Sequence, residues 1–438
     1  MLIDNLFGVI RRVTAQPAIA GEPYGMHSFN ASVGDLGRVS RWAPDVLGSG
    51  VNFDADRARH AAIGEAVERY CGNMVTTVDR RTTIAELRRE GVPFFDPTRV
   101  PVFTAEQFRR PGFPFSPLAD DVVLPWVSGI DLGNGGRATL LPAPAVYLNY
   151  YRGSGDPTGA QRRFPVLLPG IAAGPTFDGA VRSALLEIIE RDATVLWWVG
   201  RQPAQVVDFP AGHLVRELTS AGLDPAVRLW WLRLSSEFPV PTLACVLVDD
   251  KLGVLAVGFA TRTDVDEAAL KAAAEAFQLR RLAAGCLEPE SWLWRGTAEG
   301  RLHFPLRPYR ADRAYAKDFA ADWSDMTQLM HNVQYFLDRS TWDRALTRLV
   351  PPDTVDWREV GCAGRWPTAR LVEHFTELDM STYAVELTTN DVKGSGYHVA
   401  RVIVPEAVPN MPTALTALGS PRLRAYAHRF DLAPMPHS

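Results

Sequence analysis

The sequence predicts an α+β fold, and three observations carry that prediction. Two apolar runs, TLACVLV at 242–248 and GVLAVGFAT at 253–261, are joined by the short hairpin-like connection DDKLG. Three long helical stretches stand apart from the strands instead of alternating with them one for one. A further pair of strand-like runs, 381–389 and 398–405, lies near the C-terminal end. Together these favour antiparallel pairing over a βαβ array.

In chain order, residues 1–50 read as strands and loops rich in Gly and Pro. A helix over about 54–73 follows, with Asp54 or Asp56 as its N-cap. Residues 76–165 are interrupted by prolines and read as short strands and connections. The small-residue loop PGIAAGPT (169–176) precedes a second helix starting near Thr176, which runs through SALLEIIERDATVLWW. VRLWWLRL (227–234) adds a strand to the 242–261 hairpin, and a third helix covers about 264–284. Residues 290–350 are rich in Trp and Arg and read as mostly helical. The end of the chain, from Pro405, is punctuated by prolines.

Composition excludes several classes. Of 438 residues, 46 are Lys or Arg and 50 are Asp or Glu, so the formal net charge is −4. That balance argues against a protein that coats nucleic acid. Only four of the cations are lysine, which fits a GC-rich genome better than a need for guanidinium groups. The four cysteines lie far apart with no CxxC pair, which speaks against a structural zinc site or a disulfide framework. The start of the chain lacks a signal-peptide layout, and no run of about 18 apolar residues occurs, so a cytoplasmic protein without a membrane span is expected.

The strongest internal signal is a short motif that occurs twice. AAIGEAVERY carries Glu65, Glu68 and Arg69, and SALLEIIERD carries Glu187, Glu190 and Arg191. A degenerate third copy, AAAEAFQLR, carries Glu275, Gln278 and Arg280. Residues three apart on a helix share a face, so each copy sets two carboxylates, or a carboxylate and an amide, side by side. In the second copy Ser183, Glu187, Glu190 and Thr194 form one polar stripe on an otherwise apolar helix. Carboxylates crowded in such a helix repel unless cations neutralise them, and unpaired burial costs several kcal/mol per ion. Hard dications bind carboxylate oxygens and keep positions for phosphate oxygens, so converging helices of this kind suit a magnesium–nucleotide. A di-iron site is excluded because no ExxH lies on these helices. The P-loop and GxGxxG signatures are absent. Gly48-Ser49-Gly50 and Gly170/Gly174 stand ahead of the first two helices, where backbone N–H groups could meet phosphate. His60, His398 and His437 read as structural or exposed.

GEAVERYCG (64–72), GIAAGPTFDGAVRSALLEIIERDATVLWW (170–198), EAFQLR (275–280) and RVIVPEAVP (401–409) together resemble the YcaO family, and most closely its azoline-forming cyclodehydratases of ribosomal-peptide biosynthesis. The resemblance runs from about residue 48 to the C-terminus. It implies antiparallel and mixed sheets with flanking helices around a central ATP/Mg²⁺ cavity. It divides the chain into N-terminal strands and loops (1–47), a catalytic domain (48–405) and a proline-containing tail (406–438) that reaches toward the active site. It assigns Glu65, Glu68, Glu187 and Glu190 to metal. It assigns Ser183, Glu187, Arg191, Gln278, Arg280 and Arg69 to ATP, and Pro434, Pro436 and Ser438 of the tail to catalysis. The activity it implies is ATP-dependent cyclisation of Cys, Ser or Thr residues of a precursor peptide through phosphorylation of the backbone amide oxygen. Thioamide or macroamidine formation and a non-catalytic scaffold are the alternatives. The implied partners are the precursor peptide, an E1-like (ocin-ThiF-type) leader-binding protein, a flavin-dependent azoline dehydrogenase and a second copy in a homodimer. The chain begins almost at the catalytic region, so the leader-binding function is expected from a separate protein. Two departures stand out: Val51 follows Gly50 where relatives carry Lys, and Pro169 precedes Gly170 where they carry Ser or Asn.

Overall fold

A computed structural model describes residues 2–4, 8–34, 47–148, 150–153, 162–299, 306–362, 364–426 and 430–437. Its strands form three sheets. The first is a three-stranded antiparallel sheet of Ile10–Ala15, His27–Val33 and Leu47–Asn52. The second has the order Val254–Thr261, Thr242–Asp249, Val227–Leu234, Ala204–Asp208 and Thr354–Asp356, antiparallel except for its last, parallel pair. The third has the order Arg80–Thr83, Val123–Asp131, Tyr383–Glu386, His398–Ile403 and Ile171–Gly174, with Arg137–Pro142 also paired to Val123–Asp131. The α+β class expected from the sequence is the observed one.

The three long helices lie where the caps put them. Asp54 caps Ala55–Asn73 by accepting from the Arg57 amide, Thr176 caps Phe177–Trp198 by accepting from Gly179, and Asp264 caps Val265–Leu287 by accepting from Glu267. The first helix buries Ala58, Ala62 and Ala66 in a row against the strand Leu47–Asn52. There a Cβ on Gly48 would lie 2.2 Å from the Ala62 carbonyl oxygen, and one on Gly50 would lie 2.1 Å from that of Ala58. Gly258 meets the carbonyl of Ala272 on the third helix in the same way, at 2.2 Å. Glycine on the strand and alanine on the helix let two backbones nearly touch. The Gly48-Ser49-Gly50 segment is therefore a packed strand, not the phosphate-facing loop its glycines suggested.

Other differences have local causes. Residues 76–165 contain helices Ile84–Glu90 and Ala105–Arg109 that were read as connections; each is opened by a capping box, Thr83 with Glu86 and Thr104 with Gln107. Among the described residues of 290–350 the helices are short, Trp292–Ala298, Met330–Tyr335 and Trp342–Leu349, with the 3-10 turns Tyr315–Asp318 and Arg339–Thr341, so the stretch is not mostly helical as expected. Asp side chains there bond to nearby backbone and Arg groups, as Asp312 does to Arg310 and Ala314.

Two buried ion pairs tie the layers together. Arg280 donates from Nε and Nη2 to Asp249 at 2.8 and 2.6 Å, and from Nη2 to the Ala20 carbonyl at 2.6 Å. Arg422 donates from Nε and Nη2 to Asp192 at about the same spacing, 2.9 Å each. Among the described residues, no helix is long and apolar enough to cross a membrane.

Candidate active site

The four paired glutamates sit where the three sheets meet, and each is held by one backbone N–H from a strand or its approach. Ser49 N donates to Glu65 Oε2 at 2.7 Å, from the first sheet. Ala173 N donates to Glu68 Oε1 at 2.7 Å and Gly170 N to Glu187 Oε2 at 2.9 Å, both from the third. Thr261 N donates to Glu190 Oε2 at 3.0 Å, from the second. Gly170, with φ +89°, belongs to the sequence block read as a phosphate loop, but its amide is spent on Glu187.

Cations are distributed unevenly around these carboxylates. Arg69 donates twice to Glu65 Oε1, at 3.0 and 2.7 Å, and Lys271 lies 3.1 Å from Glu275 one turn along the third helix. Arg191 lies 3.3 Å from Glu190 and also acts on Glu187 and Glu275. Among the described residues, Glu68 forms no ion pair. Burial pushes its carboxyl up to about 8, with Glu187 and Glu65 adding to the rise and the Ala173 amide opposing it. Burial likewise pushes Glu190 up to about 7, and raises Glu187 despite Arg191, the Gly170 amide and Arg401. Glu275 moves the other way, lowered by Lys271 and Arg191 against its burial. Glu65, Glu275 and Arg69 nevertheless keep 27, 22 and 44% of their side chains exposed.

The remaining expected residues divide. Gln278 Nε2 donates to Ser49 Oγ at 2.6 Å, and Ser49 Oγ in turn lies 3.2 Å from Glu65, so the third helix is joined to the first. Ser183 is exposed, one turn before Glu187 on the same helix face. Thr194, at the far end of the polar stripe, is buried and returns its hydroxyl to the Glu190 carbonyl. Arg280 is elsewhere: it is 1% exposed and committed to Asp249 and Ala20. Two residues past Gln278, it points from the opposite side of the helix toward Asp249. Of the tail residues, Pro436 accepts from the Val257 amide at 2.9 Å, and Pro434 lies two residues before it on the same buried segment. Ser438 lies outside the described residues.

Sequence reading missed four contributors. Ser49 and Glu275 stood inside quoted motifs without being assigned a role. Arg401 donates to the carbonyls of Pro169 and Ala145, and burial lowers its guanidinium to about 10 against the pull of Glu187. His437, expected to be structural or exposed, is buried and brought to the site. Its Nε2 accepts from Arg191 Nη1 at 2.6 Å and its Nδ1–H donates to the Val257 carbonyl at 2.9 Å. No local pattern marks a histidine at the end of a proline-rich tail as a partner for a helix more than two hundred residues earlier.

Among the described residues, no three acid, histidine or cysteine side chains converge closely enough to cage a metal by themselves. The donor set is all oxygen and incompletely neutralised. It fits Mg²⁺, which takes one or two carboxylates and fills its other positions with water and phosphate oxygens. It does not fit a self-sufficient metal cage.

Comparison with known proteins agrees with this geometry. The family model described as YcaO cyclodehydratase, ATP- and Mg²⁺-binding, matches residues 49–408. A heterocyclase solved in complex with substrate and cofactor superposes with a TM-score of 0.71 at 20% identity, over 99% of this chain and 56% of that one. The present chain thus spans little more than half of that protein's length. YcaO from Methanopyrus kandleri, bound with AMPPCP and Mg²⁺, gives 0.59 at 18% identity over 92% and 90% of the two chains. The E. coli microcin synthetase McbBCD complex with pro-MccB17 bound gives 0.55 at 14% identity, over 90% and 88%. With the family pattern spanning most of its length and its paired carboxylates gathered where three sheets meet, the chain belongs to the YcaO cyclodehydratase family, which binds ATP and Mg²⁺.

Proposed function

We propose that this protein is an ATP- and Mg²⁺-dependent cyclodehydratase that converts Cys, Ser or Thr residues of a ribosomally made precursor peptide into thiazolines or oxazolines. The observation that carries the reading is the set of four glutamates, each pinned by one strand N–H and three of them shifted toward the neutral form by burial. Such a set is costly unless a cation completes it. The heterocyclase and microcin synthetase likenesses show the fold; they support the reaction class without fixing this chain's substrate.

In the reaction proposed, the side-chain thiol or hydroxyl adds to the preceding carbonyl carbon. The nucleophile gives up its proton, the carbonyl oxygen takes the γ-phosphoryl group of ATP with release of ADP and then leaves as phosphate, the amide proton departs, and a C=N bond closes the ring. Glu65, Glu68, Glu187 and Glu190 would hold the cation. Gln278, Arg69, Arg191 and Ser183 would hold the nucleotide, and Ser49 would keep Gln278 and Glu65 in register. Arg191, fixed by Glu190 and His437, places positive charge where oxyanion and phosphate charge develops. Positioning and charge neutralisation carry most of phosphoryl transfer. The tail, with Pro434 and Pro436, would close one wall of the site, and a catalytic part for Ser438 belongs to the same proposal. Arg280, fixed in the sheet, takes no part in this scheme.

The proposed partners are an E1-like leader-binding protein that delivers the peptide, a flavin-dependent dehydrogenase that oxidises the azolines, and a second copy of this chain. The test is to incubate the purified protein, leader-binding partner and precursor peptide with Mg–ATP. Peptide-dependent phosphate release with loss of one water per ring is expected. A gain in peptide mass would point to thioamide formation instead, and Mg–ATP binding without any peptide product would reduce the protein to a scaffold.

A further inference from the structure

Behind the helix that carries Glu187 and Glu190 lies a cavity of about 250 Å³ that the nucleotide chemistry leaves unused. Its walls include Phe95, Phe103, Phe108 and Phe164 together with seven prolines. Proline has no N–H, so a wall built of it offers few donors to a polar occupant. Its charged residues are Arg163, Arg191 and Arg401; no carboxylate lines it. Ile188 and Arg191, also in the wall, come from the helix that carries Glu187 and Glu190, so one side chain, Arg191, faces both spaces. Arg401 is 1% exposed, and its Nε–H has no acceptor among the described residues. A buried donor in that state calls for a partner from outside the chain.

We propose that this cavity is the subsite for an apolar side chain of the peptide substrate, next to the residue being cyclised, with a peptide carbonyl of the same segment meeting the Arg191–Arg401 side. The inference rests on the peptide-cyclising reading and adds the residue class that the enzyme selects. The occupant follows from the walls. The volume lies below the roughly 300–1,000 Å³ of pockets for drug-sized ligands, which leaves room for one large or two small side chains and not for a nucleotide. The apolar lining favours aliphatic and aromatic groups. The three arginines reject a lysine or arginine at that position.

The test uses the full-length protein in two arms. In the first, saturation-transfer NMR follows N-acetyl-phenylalaninamide and N-acetyl-lysinamide. The phenylalanine amide binds and the lysine amide does not, and Leu118→Trp and Leu167→Trp, two half-buried wall positions that fill the cavity, remove the signal. Unchanged thermal stabilisation by Mg–ATP shows that both variants are folded. In the second arm, precursor peptides carry Phe, Gly or Lys beside the cyclised residue. The Phe peptide has the lowest KM, and the filling variants raise that KM by about tenfold or more, the worth of one buried apolar side chain, while leaving the Gly peptide unchanged. Binding that survives both tryptophans, or an unchanged Phe preference in the variants, overturns the subsite even if every peptide is cyclised. Amide binding that responds to the tryptophans, with no peptide cyclised, keeps the cavity as an apolar-residue site and overturns the cyclodehydratase reading instead.

Discussion

The acidic cluster and the buried pair Arg280–Asp249 use the same kinds of side chain to opposite ends. In the pair, one guanidinium meets one carboxylate through two hydrogen bonds, and both side chains are 2% exposed. The two charges cancel within the chain, although Arg280 Nη1 has no acceptor among the described residues. In the cluster, Arg191 lies 3.3 Å from Glu190 and acts on Glu187, and Glu68 forms no ion pair among the described residues; each of the three takes a single backbone N–H and is shifted toward the protonated form. Arg280 and Gln278 are two residues apart on one helix, yet one faces each environment. The contrast teaches that a charge motif identifies a site by what it leaves unpaired. The residues whose charge is satisfied within the chain hold the layers together; those whose charge is not are the ones proposed above to take a cation.

The largest effect separates the two sets directly. Arg280→Met strands Asp249 inside the sheet, and breaking such a pair costs about 3–5 kcal/mol. Urea denaturation should register that loss. Where the variant remains folded, Mg–ATP should still stabilise it. Glu187→Gln should do the reverse. Turnover falls by about 10²–10³, as when a preorganised charge-stabilising group is removed. Stabilisation by Mg–ATP is lost, and the ligand-free protein is no less stable, because a buried, unneutralised charge has been deleted. If Glu187→Gln instead destabilises like Arg280→Met, the cluster is structural and the comparison fails.

Acid and base sharpen the contrast next. The folded chain holds a proton on Glu68 that the unfolded chain gives up above 4.5. That contribution to stability is fully present below 4.5 and is lost as pH rises through about 8. Glu190 acts in the same direction with its value at about 7. The ligand-free protein should therefore lose stability between 4.5 and about 8, a slope that Glu68→Gln flattens. The rise in Tm on adding Mg–ATP should be larger at the alkaline end of that window. Urea midpoints across the range, with and without Mg–ATP, measure both.

Local chemistry made much of this legible from sequence. Asp54 was legible as the cap of the first long helix, Thr176 and Asp264 stand at the starts expected for the other two, and the continuous apolar runs announced strands of the second sheet. The repeated ExxER motif named all four glutamates because an i, i+3 pair of carboxylates on an apolar helix has few innocent explanations. What was not legible depends on contacts across the fold. Gln278 and Arg280 look equivalent in EAFQLR, and only helix phase against the sheet sends one to Ser49 and the other to Asp249. Gly48 and Gly50 look like a loop, and only the backbone of the neighbouring helix shows that they are a packing surface. The two missed short helices are a different case, since Thr83–Glu86 and Thr104–Gln107 were readable as capping boxes.

The smallest predicted effect tests the tail, which joins the two regimes. His437 is a neutral buried imidazole: burial first, and then the Arg191 charge, holds it down at about 4. In that state its Nε2 accepts from Arg191 while its Nδ1–H is fixed on Val257, and the Asn332 amide donates to its carbonyl at 3.1 Å. The tail thus satisfies one face of Arg191 without adding charge, leaving the rest to Glu190 and, in the function proposed above, to the nucleotide. His437→Ala should raise the KM for ATP by about tenfold, since a hydrogen bond to a charged group contributes roughly 1.5–3 kcal/mol. The effect on kcat should be smaller, and His437→Gln, which keeps an acceptor, should recover part of the loss. The pH sign is opposite to that of Glu68. The unfolded chain takes up a proton below 6.5 that the docked imidazole refuses, so the contribution is full above 6.5 and is lost as pH falls through about 4. ATP affinity of the intact protein should therefore weaken in acid and that of His437→Gln should not. A flat profile for both would mean that Arg191 is held by Glu190 alone.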